Sequence, residues 1–392
     1  MRNIFIFLTF TLFCQNNQPQ TAETEIEIHG FLSRGYIKSS KYNYLADDST
    51  SGTSKFGEFG INFGYQAHDR LRLSAQILAR ELGSAGEYNP NLDWAFLDYQ
   101  LANWASLKYG KFFTPGGLYN EGRDADFLRN RIFLSHTIYS PNFRDLSTMS
   151  GLQLHGNIEI GENNSIDYTF SKGNVSFNDN STFLVDFQFG VKKILKINTN
   201  TKGNIDNLIS YSFIWNTWIE GLRLGFTQAD ISINIDATIT PFGVKLASVL
   251  YDNSEVFKIH SIEYTRDNWR YTFERITGRM DRVGFGPTQV HFNLQSYYHQ
   301  ITYRLNDRYE FGILKSTAHE NTLAGKNAID QYQKDLTFTI RQDLSDSWVL
   351  KFEYHDMQGI GSFRDIFNPT TNATSNRGKN WDMFMTKITY SF

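Results

Sequence analysis

Apolar residues recur at every second position in short stretches along most of the chain. The stretch 71–80, LRLSAQILAR, sets Leu71, Leu73 and Ile77 against Arg72 and Arg80, and the stretch WVLKFEY at 348–354 alternates in the same way. Because successive strand side chains point to opposite faces, this period of two predicts β-strands with one apolar and one polar face. Past the first fifteen residues no apolar run approaches the ~20 residues of a membrane-spanning helix, which excludes a helical membrane protein.

A short unit repeats along the chain, in most cases one or two Asp or Asn residues followed by an alternating stretch. Asp and Asn suit tight turns because they tolerate a left-handed backbone and bond to their own chain. Tight turns are predicted at residues 68–70, 103, 163–164, 220–221, 267–268, 306–308 and 346–347. These seven turns join fourteen strands. A first strand opening at Ile26 and a last strand ending at Phe392 bring the count to sixteen, and an even strand count is typical of bacterial barrels.

The connections on the other side are longer and polar. They are expected at residues 40–54, 83–90, 113–148, 173–205, 230–255, 280–292, 318–329 and 358–379. Short turns at one rim and long loops at the other predict an all-β fold, a transmembrane antiparallel β-barrel of 16 strands with periplasmic turns and extracellular loops. Residues 181–199 alternate well enough to form a strand. We expect a hairpin within a loop there, with an 18-stranded barrel as the alternative.

Composition fits a barrel with a wet interior. The chain has 33 Phe, 21 Tyr and 7 Trp in 392 residues, yet its mean hydropathy is −0.42. Disorder goes with few aromatics, and a net charge of −3 gives no basic footprint for nucleic acid. A charge on the lipid face costs ~2–4 kcal/mol at mid-membrane, so the charged face of each strand is expected to line a water-filled lumen. Trp94 and Phe96 do not sort cleanly to either face.

The beginning of the chain predicts export. A short positive start at residues 1–3 precedes the apolar core IFIFLTFTLF at 4–13 and a polar stretch at 15–18. This order is typical of a secretory signal peptide and too short for a spanning helix. We expect a signal peptide over 1–22, with earlier cleavage near Cys14 or lipidation of Cys14 as alternatives, and a single barrel domain over 23–392.

The third long connection carries the densest charge cluster. Pro115 with Gly116 and Gly117 breaks the strand and turns the chain. The charged residues that follow are Glu121, Arg123, Asp124, Asp126, Arg129 and Arg131. Four segments make the chain resemble the sixteen-stranded outer-membrane porins of Gram-negative bacteria, both general and phosphate-selective: IEIHGFLSRGYI from Ile26, LDWAFLDY at 92–99, GKFFTPGG at 110–117 and the terminal ITYSF.

The resemblance implies a site and a set of partners. In that family the third loop folds into the barrel and narrows the pore, so Glu121, Asp124 and Asp126 would form an acidic patch on the loop. Arg123, Arg129 and Arg131 would add positive charge to the same loop. A basic wall would face it, formed by Arg72, Arg80 and Lys108. Tyr390 and Phe392 would form the terminal assembly signal. The implied partners are outer-membrane lipid and lipopolysaccharide, the barrel assembly machinery, two further copies in a homotrimer and small hydrophilic solutes.

The sequence offers no recognisable enzyme chemistry. The nine histidines show no H-x-x-x-H pair, and no G-x-S-x-G segment is present, so neither a metal, another cofactor nor a catalytic role is expected. The expected function is a passive channel for small solutes and ions. The alternative is a barrel whose long loops act as a surface adhesin or receptor.

Overall fold

The fold is a closed barrel in which every strand pairs with its neighbours in the sequence and the first strand pairs with the last. The computed structural model describes residues 26–82, 87–139, 144, 146–177, 181, 184–185, 188, 192, 196–240, 243–283, 289–321, 329, 332–361 and 378–392. The expected signal peptide and Cys14 lie outside these residues. In the described part of the chain, no helix is long and apolar enough to cross a membrane.

All sixteen strands are antiparallel to their neighbours, as predicted. Their bounds are β1 Ile26–Ser39, β2 Phe56–His68, β3 Leu71–Leu82, β4 Asn91–Ala102, β5 Ala105–Phe113, β6 Thr148–Glu159, β7 Ser165–Ser176, β8 Thr199–Asn216, β9 Leu222–Ile239, β10 Val244–Arg266, β11 Trp269–Val283, β12 Gln289–Arg304, β13 Tyr309–Asn321, β14 Tyr332–Ser345, β15 Trp348–Gly359 and β16 Asn380–Ser391. The predicted tight turns all lie between these strands at one rim.

The two faces of each strand separate as the alternation predicts. Phe338 and Ile340 of β14 are more than 40% exposed on the outward face, whereas the residues of the alternate set, Asp335, Thr337 and Thr339, are buried inside the barrel. Aromatic rings lie exposed at the short-turn rim, including Trp104, Trp269 and Trp348. The outward face is therefore an apolar coat with aromatic residues at its edge, the arrangement of a barrel that sits in a bilayer.

Strands β8, β9 and β10 are longer than a bilayer requires, at 18, 18 and 23 residues. Their far ends reverse the polarity of the wall, because Asp230 and Asn234 point outward while Ile233 and Ile235 are buried inside. The bounds expected for the connections at 173–205, 230–255 and 280–292 are thus too wide, since β8 begins at Thr199, β9 runs to Ile239 and β11 runs to Val283. Beyond the membrane the outward face of these strands meets water and not lipid, so polar outward residues are compatible with a β-strand there.

The lumen near the long loops holds an apolar cluster that the charge pattern did not predict. Loop 1, residues 40–55, folds inward so that Tyr42, Tyr44 and Leu45 pack on lumenal side chains of β1, β2, β3, β15 and β16. We call this the mouth cluster; its buried members are Ile37, Tyr42, Tyr44, Leu45, Phe56, Leu82, Ile132, Met357, Ile360, Trp381, Met383 and Met385. This end of the barrel is more filled than an open water channel.

A second apolar cluster covers the lumenal face of β5 to β9. Its members include Phe112, Met149, Ile205 and Ile233, with Leu184 from the segment between β7 and β8 fully buried among them. Trp94 and Phe96 both face inward, with ring centroids 5.4 Å apart, and Phe96 packs on this cluster. Because β7 pairs directly with β8, the segment 181–199 adds no strand to the barrel, and the 18-stranded alternative is excluded.

The last residues of the chain close the barrel. Gly30 of β1 and Phe392 exchange backbone hydrogen bonds of 3.0 Å in both directions, so Phe392 continues the pairing of β16 with β1. Its ring stacks 6.1 Å from Tyr390, which in turn lies 4.9 Å from Trp348. The terminal residues thus form part of the exposed aromatic rim.

Candidate functional site

Loop 3, residues 114–147, enters the barrel and crosses it. The Pro115–Gly117 segment turns the chain, and Gly117 has φ +63°, where a Cβ would come within 2.5 Å of Glu274 Oε1. The next backbone N–H, that of Leu118, donates to the same Glu274 oxygen at 2.9 Å. Since the loop starts at β5 and Glu274 is on β11, it spans nearly the full width of the barrel.

Phenol groups hold the loop to the β10–β11 wall. Tyr139 donates to Glu274 Oε2 at 2.7 Å, Tyr298 of β12 donates to the same oxygen at 2.6 Å, and Tyr119 donates to Glu263 of β10. Burial, reinforced by the neighbouring carboxylates, raises the pKa of Tyr119 and of Tyr139 well above the ordinary value, which keeps both phenols protonated as donors. Glu274 is therefore bound by neutral groups, whereas Glu263 also pairs with Arg223 of β9 at 3.1 Å.

On the β15–β16 wall the loop is held by a buried ion cluster. Asp126 begins a 3₁₀ turn, Asp126–Leu128, and its Oδ1 lies 3.0 Å from Lys351 Nζ and 3.5 Å from Lys387 Nζ. Thr389 donates to its other oxygen at 2.6 Å. Burial alone would raise the pKa of Asp126, but Lys351, Lys387 and Arg129 outweigh it and hold that pKa well below its usual range. Asp126 is thus a buried anion surrounded by cations.

The middle of the loop is tied to β13–β15 by backbone groups. Ile132 N–H donates to Glu353 Oε1 at 2.7 Å, and Asn130 Nδ2 donates to the carbonyl of Glu310 at 3.1 Å. Arg131 lies 3.9 Å from the same Glu353 carboxylate. Because every one of these groups is buried, the loop has a defined position in the lumen.

His136 gives the loop a titratable contact with the wall. Its Nε2 lies 2.9 Å from Gln333 Nε2 of β14, and its Nδ1 lies 3.8 Å from Asp335. Burial outweighs the attraction of Asp335 and lowers the pKa of His136 to about 4. The ring is therefore neutral at pH 7 and can accept the Gln333 amide hydrogen.

The returning part of the loop meets the β3–β4 wall through Arg144. Its guanidinium lies 2.6 Å from Asp124 Oδ1 and 2.9 Å from Asp93 Oδ2. Gln76 Nε2 donates to the same two carboxylates, at 2.8 Å to Asp93 and 3.0 Å to Asp124. Although burial would raise the pKa of Asp124, Arg144 holds it below its ordinary value. Asp124 is consequently paired within the loop and does not face the lumen as a bare charge.

A cavity remains between the loop and the β2–β3 wall. Its charged lining residues are Glu58, Arg80, Arg123, Asp124, Arg129 and Arg144. The hydrogen bonds described for the Arg123 guanidinium go to neutral oxygens, Asn120 Oδ1 at 3.2 Å and the Tyr139 carbonyl at 3.4 Å. Burial, with the charge of Arg144 next in effect, lowers the pKa of Arg123 to about 9. The open space beside the loop is therefore lined by an excess of cations.

The residues predicted from sequence divide into two groups. Arg123, Asp124, Asp126, Arg129 and the wall residue Arg80 come together around the loop. The other three lie apart. Glu121 is exposed, Arg72 pairs with Glu27 at 2.5 Å nearer the short turns, and Lys108 lies 4.6 Å from the Phe96 ring centroid. An acidic patch on the loop facing a basic wall is thus not the arrangement found, because Asp124 and Asp126 are already paired and Glu121 lies apart from them.

Sequence reasoning missed the wall residues that hold the loop. Lys351 and Glu353 alternate inward in β15, and Lys387 does so in β16, so strand patterning alone identifies them as lumenal charges. Nothing local indicates that Asp126 is their partner. In the described part of the chain, no group of three His, Cys, Asp or Glu side chains is arranged to hold a metal ion.

Neither a family model nor a curated protein sequence matches the chain, whereas solved structures do. OmpT of Vibrio cholerae lacking loop L8 matches with a TM-score of 0.58 at 11% identity, over 94% of this chain and 99% of that one. The outer-membrane channel DcaP of Acinetobacter baumannii matches with 0.56 at 10%, over 95% and 99%. An anion-selective porin from Comamonas acidovorans matches with 0.55 at 10%, over 94% and 100%. The chain therefore has the sixteen-stranded fold of the Gram-negative outer-membrane porins.

Proposed function

We propose that this protein is an outer-membrane porin, a channel for passive diffusion of small hydrophilic solutes and ions, with no catalytic step. The apolar outward face suits a bilayer, and the predicted signal peptide over 1–22 suits export from the cytoplasm. Phe392, at the end of the strand that closes the barrel, suits recognition by the assembly machinery.

The observation that carries this proposal is loop 3 held across the lumen. Its contacts with Glu274 of β11, with Lys351 of β15 and, through Arg144, with Asp93 of β4 fix a partition inside the barrel, and a small cavity lined by charged residues lies beside it. A soluble or adhesive barrel has no need for an interior loop with polar contacts to several walls. Pore-lining charges at a narrow point set which ions pass, so this partition is the expected constriction.

The proposal also includes the charge selectivity of the channel at this constriction. Four arginines and two carboxylates line the cavity, and adding Asp93 beside Arg144, Asp126 beside Arg129 and Lys387 beside Glu58 leaves five cations against four anions. The Lys387 ammonium lies 2.9 Å from Glu58. We infer a preference for small anions, such as carboxylates and inorganic anions, over cations of similar size.

Bilayer recordings of purified, folded protein test the channel proposal. Stable single-channel steps are expected, and deletion of residues 118–131 should increase their conductance because it removes the partition. The substitution Glu121→Gln on the exposed part of the loop serves as the control and should leave the conductance unchanged. Correctly folded wild-type protein that produces no steps would contradict the channel. Steps of unaltered conductance after the deletion would contradict the assignment of loop 3 as the constriction.

A homotrimer is the proposed assembly. The same fold occurs in OmpT of Vibrio cholerae solved in a trimer form, which matches with a TM-score of 0.57 at 11% identity, over 94% of this chain and 99% of that one. Sedimentation in detergent tests the assembly directly. A trimer mass supports it, and a monomer mass in mild detergent contradicts it.

A second function, surface recognition, is favoured by the long strands β8, β9 and β10. Their far ends project as a sheet whose outward face carries Lys202, Asp230 and Asn234. Replacing residues 231–239 and 244–252 with a tight turn would remove this projection. If recognition is the main function, cell binding should be lost while conductance remains.

A further inference from the structure

A polar pocket opens into the lumen at the short-turn end of strands β2 to β5. It has a volume of about 130 Å³, and no residue of loop 3 lines it. Its lining is entirely polar or charged and includes Asp69, Arg70, Arg72, Asp98, Gln100 and Ser106. A pocket with such a lining on the interior face of the barrel is a candidate binding site for a small polar solute.

The strand register brings opposite charges together at this pocket. Arg72 of β3 lies directly opposite Asp98 of β4, and the Gln100 backbone N–H donates to the Arg70 carbonyl at 2.8 Å. Arg70 is therefore a diagonal neighbour of Asp98. Long side chains interact at both separations, and opposite charges in these positions attract each other. Among the described residues, however, neither arginine forms an ion pair with Asp98.

Arg72 is held away from Asp98 by a residue on its other side. Its guanidinium crosses β2 to Glu27 of β1, where Nη2 lies 2.5 Å from Oε2. Gly64 of β2 leaves room for this crossing, because a Cβ at position 64 would lie 2.6 Å from Nη2. The charge of Arg72 is thus compensated at Glu27, outside the pocket.

Asp98 is held from the opposite direction. His155 of β6 places Nε2 at 3.1 and 3.0 Å from the two carboxylate oxygens. A hydrogen bond from Nε2–H orients the carboxylate without removing its negative charge. The Arg70 guanidinium makes no hydrogen bond or ion pair with any residue that the structure describes. The pocket therefore lies between an oriented anion and an unpaired cation.

The charges around the pocket sum to zero. With His155 counted as neutral, the lining and its nearest charged neighbours contain three cations, Arg70, Arg72 and Lys108, and three anions, Glu27, Asp69 and Asp98. Such a balance gives no net attraction for a simple anion or cation, in contrast with the arginine excess beside loop 3. It suits a solute with both charges, because each end of a zwitterion forms a charge-assisted hydrogen bond with the group of opposite sign.

We propose that this pocket binds a small zwitterionic amino acid, with its carboxylate against Arg70 and its ammonium group against Asp98. Gln100 and Ser106, which lie opposite each other in the register, supply neutral hydrogen-bonding groups between the two charges. A cavity of about 150 Å³ holds benzene, so a pocket of about 130 Å³ suits an amino acid of the size of alanine. A role of the pocket in transport rests on the proposed function, whereas binding can be measured without conduction.

Three probes with the same number of non-hydrogen atoms test the ligand class. L-Alanine carries both charges, L-lactate carries only the carboxylate, and L-alaninamide carries only the ammonium group at about pH 6. Each probe is isotope-labelled and titrated against the folded protein in detergent. The broadening of its NMR signals gives the dissociation constant.

Two variants of the pocket are compared with two matched controls. The pocket variants are R70Q and D98N. The controls R308Q and D343N change an exposed turn arginine and a lumenal carboxylate at the same rim, where the Asp343 backbone N–H donates to the Arg308 carbonyl at 2.8 Å. Heat-dependent gel mobility confirms that each variant is folded before it is titrated.

Wild-type protein should bind alanine about threefold or more tighter than lactate or alaninamide, because each of these lacks one of the two charged contacts. R70Q should bind alanine and alaninamide equally, D98N should bind alanine and lactate equally, and both controls should bind alanine within about 1.5-fold of wild type. Equal binding of the three probes by wild type overturns the proposal, as does a wild-type preference for lactate or alaninamide. Losses in R308Q and D343N that match those in R70Q and D98N also overturn it. Conductance is recorded separately on wild type, so that an absent channel contradicts the proposed function and leaves the binding result intact.

Discussion

Lys351 of β15 and Asp126 of loop 3 form a buried ion pair, with Lys351 Nζ 3.0 Å from Asp126 Oδ1 and both side chains at most 3% exposed. The two residues are 225 positions apart in the sequence. Lys351 Nζ also donates to the carbonyls of Asp126 and Arg131 at 2.6 and 3.0 Å. One ammonium group thus binds the loop at both Asp126 and Arg131 and fixes the position of the loop along the barrel axis.

Replacing Asp126 with Asn should loosen the loop and destabilise the protein. The substitution leaves Lys351, Lys387 and Arg129 without the anion they share, and breaking a buried pair in this way costs about 3–5 kcal/mol. Urea unfolding in lipid vesicles measures the free energy of unfolding, and the variant should also show noisier single-channel currents. Glu121→Gln, an exposed change on the same loop, should match wild type in both. Equal stability of Asp126→Asn and Glu121→Gln would show that the pair does not hold the loop.

The double variant D126N/K351M separates the pair from its surroundings. Removing both partners eliminates an uncompensated charge, so its stability should exceed the sum expected from the two single variants by about 1–3 kcal/mol. A double-mutant cycle from the same unfolding curves gives this coupling. Strict additivity would mean that Lys387 and Arg129, not Lys351, are the partners that matter.

Selectivity should depend on the arginines that line the cavity. The double substitution R80Q/R123Q removes two of the four cations beside the loop and should shift the permeability ratio severalfold toward cations. The reversal potential in a tenfold KCl gradient measures it. Arg72→Gln, which removes an arginine paired with Glu27 away from the loop, should leave the ratio near the wild-type value. A larger shift from Arg72 than from the pair would place the selective point near the short turns.

His136 predicts a defined dependence of stability on pH. Its pKa is about 4 in the folded protein against 6.5 for an unperturbed histidine, so the unfolded chain binds the proton first as pH falls. Stability should therefore decrease between pH 6.5 and pH 4 by up to about 3 kcal/mol from this residue, and not change further from it below pH 4. His136→Gln should flatten the curve in that window. Parallel curves for the two proteins would contradict the buried neutral histidine.

The mouth cluster should contribute strongly to stability. Trp381 is 2% exposed, and its Nε1 donates to the Gly359 carbonyl at 2.9 Å while its ring lies 5.8 Å from Tyr42. Trp381→Ala removes a buried ring at a cost of about 3–5 kcal/mol and frees loop 1. The midpoint of heat-induced unfolding on gels should fall clearly, and the conductance should rise if loop 1 narrows the mouth. Trp218→Ala, at a turn where the ring is 64% exposed, should cost much less; a similar cost would mean that the cluster does not stabilise the barrel.

The parts that could be predicted are those set by local pattern. Alternation sorted the faces of β3 and β15, and Asp or Asn turns placed the short connections, because both follow from neighbouring residues. The far ends of β9 and β10 were missed because their outward positions are polar above the membrane, so Asp230 and Asn234 resemble loop residues. The contacts of Asp126 with Lys351 and of Tyr139 with Glu274 join distant segments, and no local signal specifies them. Hence the loop's charges were identified while their pairing was not.

Single-channel recording in planar bilayers under a tenfold KCl gradient tests the central claim most directly. A barrel partitioned by loop 3, with arginines in excess beside it, predicts stable discrete steps and a reversal potential of the sign for anion preference. Wild-type protein that is folded by its heat-dependent gel mobility yet produces no steps would contradict a channel. Steps with a reversal potential of cation sign would contradict the assignment of the arginine-lined cavity as the selective passage.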